Sequence, residues 1–264
     1  MTEDLVRLDI SERIGTVTLN RPERRNAISS ALARAVTARM NQAIESDEVD
    51  VIVLTGSGRA FCAGLDLVEL STSAHNLSPL DSEDGPWTPG NGMWVETDKP
   101  VIGAINGPAV TGGLELALHC DILIAAESAR FGDTHARVGV FPGGGMIALL
   151  PRAIGQRAAL AMSLSGNFID ASTALRWGLV VDVVPDEELP AAARRLAADI
   201  ASADQRIVRA VLATYREAAD LSPTDAVAHE GAVARRMHAL VDPATIAGRR
   251  EAVLDRGRAQ TAVD

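Results

Sequence analysis

Lysine is almost missing from this chain: of the 25 basic residues 24 are arginine, and Lys99 stands alone. We read that usage as coding bias. Aromatic residues make up only 3%, so the interior has to be filled by Ala, Val, Leu and Ile, which suits closely packed helices and buried strands. Cysteine occurs twice, and Cys62 and Cys120 have neither metal-ligand nor disulfide spacing, which excludes a disulfide scaffold and fits a reduced cytosol. Long apolar runs are lacking too. Nothing approaches the roughly 18 consecutive apolar residues of a membrane span, and the start Met1-Thr2-Glu3-Asp4 is acidic without the apolar core of a signal peptide. The expectation is a cytoplasmic protein with no membrane partner. An excess of positive charge is likewise missing. A formal charge of −10 and a pI of about 5.0 argue against a general nucleic-acid binder, which needs a basic face. No phosphate loop of the G-x-x-x-x-G-K type occurs.

What is present is a chain of 264 residues, 47% of them hydrophobic, enough for one large core. Leu5 to Ile10 and Ile14 to Leu19 alternate around Glu12-Arg13 and predict a hairpin. Arg21-Pro22-Glu23-Arg24-Arg25-Asn26 breaks the pattern, and Ser29 caps a helix whose apolar face is Leu32, Val36, Met40 and Ile44. Continuous apolar runs at Val51 to Leu54, Val101 to Ile105 and Ile122 to Ala126 predict fully buried strands. Residues 71 to 92, rich in Ser, Pro, Gly and acidic side chains, read as a mobile loop or lid. Helices are expected over Met146 to Ile154, Arg157 to Leu164, Ala171 to Trp177, Glu187 to Ala201, Ala203 to Leu221 and Thr224 to Leu240, with one strand, Leu179 to Val184, between them. The organisation expected is an α/β core over residues 1–195 and a helical region over 196–264.

The organising stretch is Asn106 to Asp121, N-G-P-A-V-T-G-G-L-E-L-A-L-H-C-D. A buried strand feeds a glycine turn that opens straight into a short helix. The first amides of such a helix have no intrahelical acceptor, and the two glycines carry no side chain to shield them. Glu115 lies close to one turn beyond Gly112, so its carboxylate is expected near the same end. Backbone oxyanion donors and an acid/base group can thus come from one element. Set against this, glycine pairs serve many turns, and a glutamate in a first turn often only complements the helix dipole.

A second segment, Ala60-Phe61-Cys62-Ala63-Gly64-Leu65-Asp66-Leu67, and a third, Phe131-Gly132 through Pro142-Gly143, decide between these. Together with Asn106-Gly107-Pro108 through Leu116-Ala117 they resemble the crotonase (enoyl-CoA hydratase/isomerase) superfamily over nearly the whole chain. The resemblance implies a spiral of ββα units with a helical C-terminal region, assembly as a trimer or dimer of trimers, and acyl-CoA thioester substrates, with no cofactor beyond the coenzyme A of the substrate. It also implies an oxyanion hole made by the amides of Leu65 and Gly112. Such donors stabilise the enolate oxygen more than the neutral carbonyl, and one of them is worth ~3 kcal/mol. Bordering the substrate and its coenzyme A, the resemblance places Arg24, Arg25, Ala63, Asp66, Leu67, Val68, Gly113, Pro142 and Gly143.

One departure from the hydratase pattern bears on the reaction. Hydratases of the superfamily hold water between two glutamates. Glu115 matches the first, and His135 occupies the position of the second. A histidine can serve as a base near neutral pH, and it can equally line the pocket while Glu115 works alone. Asp133 lies on the turn beside it. Asp66 is expected to fix the oxyanion loop, Asp121 to anchor a strand start, and His119 to be a satisfied core histidine. The expected function is hydration of a 2-enoyl-CoA through a thioester enolate. The alternatives are an isomerase, hydrolase, decarboxylase or lyase on another acyl-CoA, or a non-catalytic acyl-CoA- or RNA-binding relative.

Overall fold

The computed structural model describes residues 4–72 and 93–261. The expected hairpin is β1 (Val6–Ser11) against β2 (Ile14–Leu19), closed with Ser11 opposite Ile14. Glu12 and Arg13 both take positive φ, 50° and 65°, the handedness that lets a two-residue turn follow the twist of its strands. The Arg13 guanidinium pairs with the buried Asp50, which ties this unusual turn to the next strand. Helix α1 (Ser30–Glu45) begins as the sequence predicts: Ser29 Oγ accepts the Leu32 amide at 3.2 Å, and Leu32, Val36 and Met40 are fully buried.

The strands β3 (Val51–Gly56), β4 (Val101–Ile105), β6 (Ile122–Ala126) and β9 (Asp182–Val184) extend the hairpin in parallel, giving the order β1-β2-β3-β4-β6-β9. Successive side chains point to opposite faces. Ile52, Leu54, Val101, Ile105, Leu123 and Ala125 therefore join one core with α1, while Val51, Val53, Ile102, Ala104, Ile124 and Ala126 join another. That second core is closed by Leu189, Ala192, Ala193 and Ala197 of α8 (Leu189–Ala201). Burial on both faces is why these strands read as continuous apolar runs.

A second sheet, too short to be legible in the sequence, joins β5 (Ala109–Val110) in parallel to β7 (Arg130–Gly132), which pairs antiparallel with β8 (Ile169–Asp170). Two short helices also escaped the periodicity, α2 (Leu67–Thr72) and α4 (His135–Val138), while α3 (Gly112–Leu118) starts at the glycine pair as expected. The helices α5 (Met146–Ile154), α6 (Gln156–Ser165) and α7 (Ala171–Trp177) follow as anticipated. The strand expected from Leu179 begins only at Asp182. Leu179 and Val180 are buried in the core instead, after Gly178 ends α7 in the left-handed conformation. The segment expected to form a lid falls almost wholly in residues 73–92, outside the described residues.

The chain divides into two compact units, one through Gln205 and one from Arg206. The division expected between 195 and 196 would cut α8, whose small residues pack against the sheet. The helices α9 (Gln205–Ala218) and α10 (Pro223–His238) match the expectation; α11 (Pro243–Thr261) does not appear in it. Every residue of α11 is exposed, so no apolar stripe marked it. Among the described residues no helix is long and apolar enough to cross a membrane.

Candidate active site

Two loops meet beside the first turn of α3. Beyond β4, Asn106 Oδ1 accepts the Gly56 amide at 3.0 Å and its amide group donates to Gly58 O at 3.1 Å. The loop at 60–66 is then zipped to the 106–112 segment: Cys62 N donates to Pro108 O at 3.1 Å and Val110 N to Cys62 O at 2.9 Å. On its other side, Ala63 N donates to Arg25 O, Ile28 N to Gly64 O and Asp66 N to Ile28 O. These bonds leave the Leu65 amide among the described residues without a backbone acceptor, beside Gly112 N, the first amide of α3 and one that no intrahelical carbonyl can reach. A Cβ built on Gly112 would lie 3.7 Å from Leu65 N, and one built on Gly64 (φ +89°) would lie 3.4 Å from Gly112 N. The structure thus brings both expected oxyanion amides together. Gly113 is required for packing: a Cβ there would fall 2.1 Å from Cys62 O.

Thr111, immediately before Gly112, adopts φ 54° and ψ −115°, a region that disfavours a β-branched residue and holds strain of about 1–3 kcal/mol. Its neighbours enforce it. Thr111 N donates to Gly132 O at 2.8 Å, Thr134 N donates to Thr111 Oγ1 at 3.2 Å, and the two threonine hydroxyls lie 2.6 Å apart. With the β5–β7 pairing, this latch sets the start of α4 against the start of α3.

His135, the first residue of α4, is thereby placed beside Glu115. Both are buried, 4% and 3% exposed. Glu115 Oε1 accepts the amides of Gly144 at 2.8 Å and Met146 at 3.4 Å, so it also caps the start of α5. Oε2 is turned toward His135 Nε2 at 3.9 Å. That separation is past direct hydrogen-bond range, and one oxygen atom within reach of both groups fits it. Burial pushes the Glu115 carboxyl up; the amides of Gly144 and Met146 oppose that shift without cancelling it. Behind the ring, His135 Nδ1 lies 2.7 Å from Asp133 Oδ1. His119 is half-buried, and its Nε2 lies 2.9 Å from Gly144 O. Burial moves the His119 ring down, toward the neutral form, so Nε2–H donates to that carbonyl and steadies the loop that holds Glu115. The Cys62 thiol, pushed up to about 12 by burial, is no nucleophile. Among the described residues no group of three or more His, Cys, Asp or Glu side chains is arranged to hold a metal ion.

The family model for enoyl-CoA hydratase/isomerase matches residues 9–240. The chain belongs to the enoyl-CoA hydratase/isomerase family. The protein named (E)-benzylidenesuccinyl-CoA hydratase from Thauera aromatica is 41% identical over 207 residues, 78% of this chain and 79% of that one. A probable enoyl-CoA hydratase, echA8, from Mycobacterium bovis is 34% identical over 230 residues, 87% of this chain and 88% of its own. Among solved structures, an enoyl-CoA hydratase from Mycobacterium tuberculosis H37Rv superposes with a TM-score of 0.73 at 45% identity, covering 88% of this chain and 98% of that one. A putative enoyl-CoA hydratase/isomerase from Mycobacterium abscessus gives 0.82 at 29% identity, covering 95% and 96%. The fold is that of these crotonase-like enzymes.

For a member of the enoyl-CoA hydratase/isomerase family, the other expected contact residues are spread unevenly around this centre. Ala63 and Leu67 line, with Leu65, Leu70, Thr111 and His135, a cavity of about 50 Å³. Asp66 is not aimed at chemistry: its Oδ2 lies 2.7 Å from Arg21 Nη1 and its Oδ1 accepts the Val68 amide at 3.0 Å. Burial works against its charge, yet Arg21 and the amides of Glu69 and Val68 hold the carboxyl below its usual range. Val68 is exposed on α2, and Arg24 and Arg25 are exposed on the turn at Pro22–Arg24. The segment holding Pro142 and Gly143 reaches Glu115 through neither of them; Gly144 makes that contact. Asp121 anchors β4 by accepting the Val101 amide at 2.8 Å. Three residues of the site's frame went unread in the sequence. Arg21 holds Asp66, and Thr111 latches Thr134. Asn26, fully buried at φ 54°, donates to the carbonyls of Ser57, Ala60 and Phe61. The positive φ of Asn26 is the kind asparagine tolerates, and only that preference offered a hint.

Proposed function

We propose that the protein adds water to the C2=C3 bond of a 2-enoyl-CoA thioester. The observation that carries this reading is the facing of Glu115 Oε2 and His135 Nε2 at 3.9 Å beside the paired amides of Leu65 and Gly112. With the thioester oxygen at those amides, the oxygen of a water bonds to C3 and the C2=C3 electron pair moves through C2 onto the thioester oxygen. Glu115 takes the water's proton and returns it to C2 as the enolate collapses, so atoms and charges balance without a redox step. His135 Nε2 accepts a hydrogen bond from the second O–H of that water and so orients it. The raised Glu115 carboxyl suits a group that must both take and give a proton. Backbone donors accept any acyl thioester, so the acyl group is selected elsewhere in the pocket.

Coenzyme A enters as part of the substrate, with Arg24 or Arg25 meeting a phosphate, and no other cofactor is needed. The helical unit serves assembly into a trimer or dimer of trimers in the cytoplasm. This is supported by the exposed Ile207, Val211, Tyr215 and Val227, which line an apolar groove of about 470 Å³ between α9 and α10. The deciding experiment incubates the purified protein with saturated, 2-enoyl and 3-enoyl CoA thioesters and identifies the products by mass. Glu115→Gln should lower turnover by about 100- to 10,000-fold with thioester binding retained. A variant His135→Glu that hydrates faster than the natural protein would instead assign the site to another reaction of an acyl-CoA, such as isomerisation.

A further inference from the structure

We infer that Asp133 is a positioning residue that fixes the His135 ring with its proton on Nδ1, so that Nε2 presents a lone pair toward Glu115. The inference rests on the hydration reading for its kinetic consequence but not for its geometry. Asp133 is 1% exposed and sits on the side of the ring away from Glu115, so it does not touch substrate. Its Oδ1 is 2.7 Å from His135 Nδ1 and 3.2 Å from His135 N. A backbone N–H can only donate. The oxygen that receives it is therefore an acceptor, and Nδ1, facing the same oxygen, carries its hydrogen. Ser163 on α6 hydrogen-bonds the same carboxylate, which anchors it from a third element. Burial opposes the charge of Asp133, but the bonds from His135 and Ser163 outweigh it and hold the carboxyl below its usual range, keeping it an acceptor.

The consequence lies at the other nitrogen. A neutral ring protonated on Nδ1 has its lone pair on Nε2, the atom 3.9 Å from Glu115 Oε2. In the other tautomer, Nε2–H donates to the water's oxygen instead of accepting from it, and so engages a lone pair that the water needs for attack on C3. Asp133 thus decides whether the pair can hold a water with both its hydrogens engaged, one on each group. A glutamate at position 135 would need no such partner, because a carboxylate is an acceptor at both oxygens.

The test uses the full-length protein labelled with 15N-histidine, with the His135 signals assigned by their loss in His135→Gln. At pH 7 the wild-type ring should be protonated at Nδ1 and bare at Nε2, and Asp133→Ala should give a mixture of tautomers. In hydration of a 2-enoyl-CoA, Asp133→Ala should lower kcat by about 10- to 100-fold, less than the loss when an orienting carboxylate supports a histidine that itself takes the proton. KM should be nearly unchanged. Asp133→Asn, which still offers an oxygen to Nδ1–H, should recover most of the lost kcat. A wild-type ring protonated at Nε2, as the other tautomer or as the imidazolium, overturns the inference whatever the activity. So does a folded Asp133→Ala variant with wild-type kcat. If Asp133→Ala does not fold, the wild-type tautomer alone decides. A wild-type protein inert toward every enoyl-CoA but protonated at Nδ1 would refute the hydration reading and leave the role of Asp133 standing.

Discussion

Gly113→Ala is the perturbation whose effect can be worked most directly from the geometry. The added Cβ would sit 2.1 Å from Cys62 O and 2.8 Å from both Cys62 C and Cys62 Cβ. Ordinary carbon–oxygen contacts begin near ~3.3 Å, so the two backbones must part by about 1 Å. The seam they would open is the one closed by Cys62 N to Pro108 O at 3.1 Å and Val110 N to Cys62 O at 2.9 Å. Because Cys62 is fully buried and the clash is with backbone, no side-chain rotation relieves it, and overpacking of this kind costs about 1–3 kcal/mol. Leu65 lies on one side of the seam and Gly112 on the other, so the same shift separates the two amides proposed to hold the thioester oxygen. A misplacement of about 1 Å typically lowers the rate 100-fold. Urea unfolding of Gly113→Ala, together with its initial rate on a 2-enoyl-CoA that the natural protein hydrates, measures both effects. A variant with wild-type midpoint and wild-type rate would refute the placement of these loops.

Glu115 should also set a pH dependence of stability. Burial raises its folded carboxyl above the ordinary value of 4.5, so the folded state holds this proton more tightly than the unfolded chain does. Stability from this group is therefore full below about pH 4.5 and declines as pH rises through the folded value. Glu115→Gln lacks the group, so its advantage in urea midpoint over the natural protein should grow from pH 5 to pH 8; a constant difference would contradict the shift. Ser29→Ala removes the acceptor that caps α1 and should lower stability by about 1 kcal/mol without altering KM, which denaturant titration and steady-state kinetics would show together. Sedimentation should find a trimer or hexamer at micromolar concentration, and a stable monomer would rule out the assembly role of the helical unit.

Local pattern determined a good part of this protein. Alternation marked the hairpin, continuous apolar runs marked the buried strands, helical spacing marked α1, and glycine spacing marked the opening of α3 with Glu115 one turn in. These are effects of neighbours within a few residues, and a chain carries them wherever it folds. What only the tertiary structure decided is how distant segments meet. Gly144 and Met146 bind Glu115 from 29 and 31 residues away, and Asn26 reaches Ala60 across 34. The D-x-H spacing of Asp133 and His135 was visible, but which side of the ring each partner takes was not. That depends on β5 and β7, two and three residues long, whose pairing brings α4 to α3. Segments so short have no period to read, and their register comes from the latch at Thr111 and the packing around it. The chemistry of the site was therefore written locally, while its geometry is a property of the assembled sheets.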